Sequence, residues 1–580
     1  MLSSLALLIG LTSVMTNSNS LRPTNGSSEN EGEAITSADP TAPQEKGTQL
    51  EAKDLAAAAR VIGLSFDHDE IELMLPDVVD ALGLMRELRN SDLGNQEPLA
   101  LVFDPVLPGM KLRERLPRDE TSRPAWQLVR KPTRPAELEE LAFADIATLS
   151  TLIRDKQVSC VELTEMFLAR LERLDSNLEC VITMLPERAM AQAVQLDEEL
   201  AEGRWRGPLH GIPWGAKDLL SVAGARTTWG AKPFRDQHIE SDAAVVKKLD
   251  EAGAVLVAKL TLGALAWGDV WFGGKTRNPW NTEQGSSGSS AGSASAVAAG
   301  ALPFAIGSET LGSIVSPSDR CGNTSLRPTF GRVARSGAMT LCWTLDKLGP
   351  ICRSALDCSL VFEAIQGPDG EDASVKDLPF EAARTASVEG WRIGVPRGVF
   401  GSIDEGFGPL ASVLDDLESL GVELVEIDMP EHPVGAMLIG LSVEAATAFD
   451  ELTRSGRDDE LVRQVQQAWP NVFRAARLVP AVEYLMAQRL RVRLMRSFDK
   501  TMGGLDAIVH PSFEAGILSM TNLSGHPTLV APCSFRDNGT PRSISFTGHL
   551  YDEERLLTLA RAWQDVSEHH QRHPELAQLK

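Results

Sequence analysis

Residues 241–258 read Ser-Asp-Ala-Ala-Val-Val-Lys-Lys-Leu-Asp-Glu-Ala-Gly-Ala-Val-Leu-Val-Ala. Ser241 is a helix-start residue, and Gly253 favours a helix stop. The run Ala254–Ala258 that follows is apolar without a break, as in a strand buried on both faces. Working outward, the same switch recurs. Ser159-Cys-Val-Glu162 is a capping box, followed at helical spacing by Leu163, Met166, Phe167, Leu171 and Leu174. Ile393-Gly-Val395 is a short strand. Leu410, Val413, Leu414, Leu417 and Leu420 form a helical stripe, Gly421 ends it, and Val422–Ile427 and Leu505–Val509 are further strands. Alternation of this kind predicts an α/β fold: a large, mostly parallel or mixed central sheet with helices on both faces.

The 580 residues carry a net charge of −24, with 43 % apolar and 5 % aromatic residues. Such acidity argues against direct binding to nucleic acid or anionic lipid, and few aromatics leave little for base stacking. The seven cysteines are odd in number and contain no C-x-x-C pair, so small buried thiols are expected, not a disulfide framework or a zinc site. No run of 18 apolar residues exists, so stable membrane insertion is not expected.

Three segments are expected. Residues 1–50 form a leader: an apolar run at 5–12 resembles a secretory signal but lacks a positive start and a clean cleavage site, and residues 17–50 are too polar to order. A cytoplasmic location is therefore favoured, with export left open. Residues 51–140 comprise a helical part, striped by Ile71, Met74, Leu75, Val78, Val79, Leu82 and Met85, and a Pro/Arg-rich linker. Asp67 or Asp69 should cap the helix, and Pro76 should interrupt it. Residues 141–575 form the main α/β domain.

The chemistry centres on Gly285–Gly300, GSSGSSAGSASAVAAG. Such a run usually marks a flexible linker, but Val297 and Leu302-Pro-Phe-Ala-Ile306 place it inside a core, where small residues let backbones approach. The strand 302–306 then enters Gly307-Ser-Glu-Thr-Leu-Gly-Ser313-Ile-Val-Ser-Pro317. A strand running into a turn of successive N–H groups suits an oxyanion hole, and a serine ending that turn suits a nucleophile. Serine needs a base, and no histidine lies near. Lys217 in Gly211-Ile-Pro-Trp-Gly-Ala-Lys-Asp-Leu-Leu220 sits in an apolar setting that would favour its neutral amine. The plainer alternative pairs Lys217 with Asp218 or lets it snorkel to water.

These segments, in this order, resemble the amidase signature family. So do Asn278-Pro-Trp-Asn281, Cys321-Gly followed by Leu326-Arg-Pro-Thr-Phe-Gly-Arg332, Leu345-Asp346 before Gly349-Pro350, and Ser524-Gly-His-Pro527. The resemblance spans roughly residues 141 to 570. It implies an α/β/α sandwich and an amidase that forms an acyl-enzyme on a small-molecule amide, without metal or organic cofactor. Ser313 would be the nucleophile, Ser289 the bridging serine with a cis peptide, and Lys217 the base. N–H groups of Thr310, Leu311 and Gly312 would hold the oxyanion. Two positions depart from the family. Leu311 replaces a glycine, predicting an altered oxyanion loop, and Val315 replaces an arginine, leaving Glu309 without its usual neutralising partner. A catalytically impaired scaffold of the same fold is the corresponding alternative.

The segment ending in Gln96-Glu-Pro98 resembles the small helical subunit that accompanies the amidase subunit of tRNA-dependent amidotransferases. A glutamine-hydrolysing amidotransferase component, with a partner subunit or as a homodimer, is therefore a further alternative. Among rivals, Gly288-Ser-Ser290-Ala-Gly292 matches the G-x-S-x-G of α/β-hydrolases, with His510, His526 or His549 as base. Ser497-Phe-Asp-Lys500 matches S-x-x-K on an exposed helix, and His569, His570 and His573 lack a further ligand. Trp267, Trp271 and Phe272 are candidates for pocket walls or for core.

Overall fold

At Gly253 the chain turns from helix to strand, with helix Ala244–Glu251 leading into strand Val255–Leu260. The helix starts later than Ser241 suggests. Neighbouring loops, through Ser221 O and Ser336 O, take the N–H groups of Ala243 and Ala244 at 2.9 Å each. Helix Cys160–Leu178 follows the capping box: Ser159 Oγ accepts from Glu162 N at 3.0 Å and Glu162 Oε2 accepts from Ser159 N at 2.9 Å.

The computed structural model describes residues 50–576 apart from 92, 117–123, 125, 128–130, 382–386, 401–409, 411 and 513. Except for Leu50, the leader lies outside the described residues. Leu50–Lys580 forms one compact unit.

The strands are β1 (Val181–Met184), β2 (Pro213–Lys217), β3 (Val255–Leu260), β4 (Val270–Trp271), β5 (Gly274–Lys275), β6 (Arg277–Asn278) and β7 (Asn281–Gly285). They continue as β8 (Phe304–Glu309), β9 (Thr324–Arg327), β10 (Lys347–Cys352), β11 (Arg392–Pro396), β12 (Glu423–Ile427), β13 (Ala507–Pro511), β14 (Thr528–Phe535) and β15 (Pro541–Thr547). Among the described residues, eleven of them form one sheet in the order β1-β3-β2-β8-β10-β9-β14-β15-β13-β11-β12. β2 runs parallel to β3 and β8, and β11 parallel to β12 and β13; the other pairings are antiparallel. The sheet is thus mixed. Every residue of β2, β3, β10 and β13 is buried. Because alternate side chains point to opposite faces, both faces of the sheet are covered there.

Helix Ala291–Ala298 is buried at every position. A Cβ on Gly292 would stand 2.3 Å from Cys180 O and 2.5 Å from Thr261 N, so the small residues permit backbone contact. Gly292→Ala should therefore lower stability by about 1–3 kcal/mol. Denaturant unfolding checks this, and a wild-type midpoint would contradict the close approach.

The N-terminal region holds two helices, Ala52–Val61 and His68–Arg89. Asp67 caps the second, accepting from Glu70 N at 2.9 Å. Pro76 does not interrupt it, contrary to the sequence expectation. Both Pro76 and Glu72, whose carbonyl loses its partner, are exposed, so water can serve that carbonyl. Of the predicted stripe only Ile71 is buried.

Beyond Arg89 the linker is not a loose tether. Asn95 Nδ2 donates to Thr340 O (2.9 Å) and Ala448 O (3.3 Å), and its Oδ1 accepts from Thr340 N at 2.8 Å. Gln96 Nε2 donates to Ala338 O at 3.0 Å. Phe103 lies edge-on to Phe330 (4.9 Å between centroids) and under the Arg491 guanidinium at 3.6 Å. These contacts strap residues 95–103 across the α/β domain.

Candidate active site

β2 and β8 are parallel neighbours, so their C-terminal ends stand side by side. Lys217 ends β2, and Ser308 sits next to last on β8. Lys217 is fully buried. Its Nζ lies 2.8 Å from Ser289 Oγ, 3.0 Å from Ser290 Oγ, 2.8 Å from Ser308 Oγ and 3.3 Å from Ser308 O. Among the described residues no carboxylate forms a salt bridge with it. Asp218 instead pairs with Lys259 at 2.6 Å, both side chains fully buried, and accepts from Thr228 N (2.8 Å) and Thr228 Oγ1 (2.5 Å). The plainer Lys217–Asp218 pairing is thus absent. Burial pushes the Lys217 amine well below its ordinary range, against the opposing fields of Asp346 and Glu309. A neutral amine keeps a lone pair and can accept a proton from a hydroxyl.

The Gly288–Ser289 peptide is cis. A Cβ on Gly288 would stand 2.0 Å from Gly268 O, which explains a glycine there. Ser289 is fully buried, whereas Ser313 is half-buried. Ser290 N donates to Ser313 O at 3.1 Å, tying the two serine loops together. Among the described hydrogen bonds, Lys217–Ser289 is made and Ser289–Ser313 is not. Catalytic hydrogen bonds often close only around a substrate.

In the turn before Ser313, Gly312 takes the left-handed conformation (φ 87°), and Leu311 is not among the residues with positive φ. The positive φ of this turn thus falls on the glycine, and Leu311 carries no left-handed strain. No described hydrogen bond uses the N–H of Leu311, Gly312 or Ser313. Thr310 Oγ1 donates to Asp346 Oδ1 at 2.6 Å, and Asp346 Oδ2 accepts from Leu341 N and Cys342 N at 2.8 Å each. Asp346 thus fixes the first residue of that turn.

Glu309 does not lack a neutralising partner. Its Oε1 accepts from Arg327 Nη1 and Asn522 Nδ2 at 2.9 Å each, and its Oε2 accepts from Ile314 N (2.8 Å) and Val315 N (3.0 Å). Burial pushes this carboxyl up, but Arg327, Lys347 and the Val315 N–H outweigh it and hold Glu309 at about 2. Arg327 also donates to His526 O (2.9 Å) and Thr528 Oγ1 (2.6 Å). Arg327 of the Leu326-Arg-Pro motif thus links Glu309, next to the turn, to His526 of the Ser524-Gly-His-Pro motif. Val315 itself packs with Leu518 and Val530. Sequence reading missed the Arg327–Glu309 pair because it sought the neutralising arginine at position 315, whereas Arg327 comes from the end of β9.

The rival constellations do not assemble. Ser290 Oγ faces Lys217 and Ser308, and accepts from Ser308 N at 3.1 Å. His510 bonds Thr547 Oγ1 (3.0 Å), His526 bonds Ser524 Oγ (2.9 Å) and His549 bonds Leu505 O (2.9 Å). Ser497 bonds His432 Nε2 at 2.9 Å, and Lys500 is exposed. His573 stacks on Phe143 at 4.2 Å. Among the described residues no cluster of His, Cys, Asp or Glu could hold a metal, all seven cysteines are buried and unpaired, and no helix is long and apolar enough to cross a membrane.

A cavity of about 360 Å³ opens beside this site, lined by Ser308 and Thr310 and also by strap residues Leu99, Leu101, Val102 and Phe103. Lys217, Ser289 and Ser313 are not among its lining residues, nor are Trp267, Trp271 and Phe272. Trp267 packs on Trp469 at 4.5 Å, and Trp271 on Phe272 at 5.0 Å.

The family model described as Amidase matches residues 162–557. The A component of the glutamyl-tRNA(Gln) amidotransferase of Roseiflexus sp. (strain RS-1) is 34 % identical over 470 residues, covering 72 % of this chain and 96 % of its own. That of Moorella thermoacetica (strain ATCC 39073 / JCM 9320) is 34 % identical over 488 residues, covering 75 % and 99 %. Among solved structures, the native peptide amidase from Stenotrophomonas maltophilia aligns with a TM-score of 0.67 at 27 % identity, over 75 % of this chain and 99 % of that one. Relatives matched almost end to end on a common α/β framework leave one reading of the ancestry: this chain belongs to the amidase family, hydrolases that act on carbon–nitrogen bonds.

Proposed function

We propose that the chain hydrolyses a carboxylic amide through a Ser313–Ser289–Lys217 relay. The observation that carries this reading is a fully buried Lys217 without a carboxylate partner among the described residues, 2.8 Å from Ser289 Oγ. Neutral Lys217 takes the Ser289 proton while Ser289 takes that of Ser313. Ser313 Oγ attacks the amide carbon, and the carbonyl electrons move to oxygen. N–H groups of Thr310, Leu311 and Gly312 hold that oxyanion, each lost donor costing about 3 kcal/mol of barrier. The oxyanion collapses, the C–N bond breaks, and the relay returns its proton to the leaving amine. Water, deprotonated by the same relay, then releases the acid from the Ser313 ester.

Support for an active site, not an inert scaffold, comes from Gly312 and Arg327. They supply the turn geometry and the charge that the sequence, with Leu311 and Val315, suggests are missing.

The pH profile tests the base. Lys217's pKa is depressed in the fold, so the amine stays neutral below the ordinary lysine range and is lost as pH falls through the lowered value. kcat/KM should fall on that acid limb, and the limb should vanish in Lys217→Ala, measured on the residual rate. A wild-type profile flat down to the onset of unfolding would contradict the role of Lys217.

A second reading has the names of the two amidotransferase relatives in its favour. There the chain hydrolyses glutamine and passes ammonia to a partner. It predicts a co-purifying subunit, whereas the first predicts full turnover by the chain alone.

A further inference from the structure

The strap formed by residues 95–103 has no part in the relay, yet six of its residues line the cavity that reaches Ser308 and Thr310: Gln96, Pro98, Leu99, Leu101, Val102 and Phe103. Resting on the amide-hydrolysis reading above, we infer that this strap is the specificity wall of the substrate site, and that the substrate is an uncharged amide bearing an apolar group.

The charges in the cavity point this way. Arg335 is the cation among its described lining residues. All five of its N–H groups are committed. Nε and Nη2 donate to Asp372 (2.8 and 3.2 Å), Nη2 also to Ser374 Oγ (3.0 Å), and Nη1 to Trp343 O (2.8 Å) and Asp346 O (3.3 Å). A substrate carboxylate would therefore have to displace a half-buried, fully hydrogen-bonded ion pair to find a partner. Two of the three lining carboxylates are equally occupied: Asp346 holds Thr310 and two N–H groups, and Asp372 accepts from Arg335 and from Ser374 N and Oγ. Glu371, exposed on the lining, would repel a carboxylate. Free amino acids such as glutamine are thus poorly served.

The apolar surface points the same way. Leu101 and Val102 line the cavity while 72 % and 51 % exposed. Ile239, Met339 and Leu341 line it too. An apolar substrate group seated between strap and domain would rest on the buried Met339 and Leu341 and remove Leu101, Val102 and the half-buried Ile239 from water, which is favourable. The strap is anchored at both ends of its lining stretch, by Asn95 and Gln96 on one side and Phe103 on the other, so it is a fixed wall.

The test compares kcat/KM for hexanamide, acetamide and glutamine in the full chain. Wild type should favour hexanamide over both. Leu101→Asp and Val102→Asp place a charge on an already exposed position. Each should lower the hexanamide-to-acetamide ratio at least tenfold, chiefly through KM, while Leu93→Asp, off the cavity, keeps the wild-type ratio. An unchanged ratio in both cavity variants, a proportional loss on both amides, or glutamine as the best wild-type substrate would each overturn the inference while amide hydrolysis stands. Absence of hydrolysis of every amide by wild type would overturn the amide-hydrolysis reading, and the inference with it.

Discussion

Lys217→Ala is expected to lower kcat/KM by about 10³–10⁴ while the protein keeps its fold, because removal of one member of a concerted relay disables the whole of it. Lys217 is held by Ser289, Ser290 and Ser308, so the substitution leaves three hydroxyls that can satisfy one another or admit a water. Among the described residues it breaks no salt bridge and strands no buried charge. Circular dichroism should match wild type, and steady-state kinetics should show the loss in kcat. A variant that retains more than a tenth of wild-type activity would remove Lys217 from the mechanism.

Arg327→Met should instead strike the fold. Arg327 and Glu309 are both fully buried and paired at 2.9 Å. Removing one partner of such a pair costs about 3–5 kcal/mol, because the other charge stays behind uncompensated. Glu309 also receives Ile314 N and Val315 N at the start of the helix that follows Ser313, so activity should fall with stability. The double variant Arg327→Met/Glu309→Gln should recover part of the lost stability, since no charge then remains stranded. The pair also gives a pH signature. Glu309 is held at about 2 in the fold against an ordinary value of 4.5. Its contribution is complete above the unfolded value and fades as pH falls from there through about 2. Chemical denaturation of wild type and the two variants measures this. A loss below about 1 kcal/mol in the single variant would contradict the account of the pair.

Much of the architecture was legible because its signals are local. The capping box at Ser159, the helix-to-strand switch at Gly253 and the apolar run beyond it depend on neighbours a few residues away. Helix boundaries slipped where loops far along the chain took over capping, as Ser221 and Ser336 do at Ala243 and Ala244. Pro76 misled because its penalty depends on whether the orphaned carbonyl meets water, which sequence does not display. The serine loops and Lys217 were legible as motifs, and their neighbourhood has a topological cause: β2 and β8 are parallel, which brings Lys217 and Ser308 to one edge. Ser308 carries no sign of its own within that loop; only the pairing of β2 with β8 brings it to Lys217. The anchoring by Asn95 and Gln96 carried no local signal, since a single side-chain amide has no pattern of its own and their partners stand 245 and 242 residues away. The same distance hides the cavity wall, whereas Trp267, Trp271 and Phe272, conspicuous in the sequence, belong to aromatic packing.

With Ser313 as nucleophile, armed by a neutral lysine through Ser289, mass-spectrometric mapping of a fluorophosphonate adduct on wild type, Ser313→Ala and Lys217→Ala should find one adduct. It should lie on the peptide carrying Ser313, be absent from Ser313→Ala and form far more slowly in Lys217→Ala. An adduct on Ser289, Ser290 or Ser308 in wild type, or wild-type labelling kinetics without Lys217, would contradict the Ser313–Ser289–Lys217 relay.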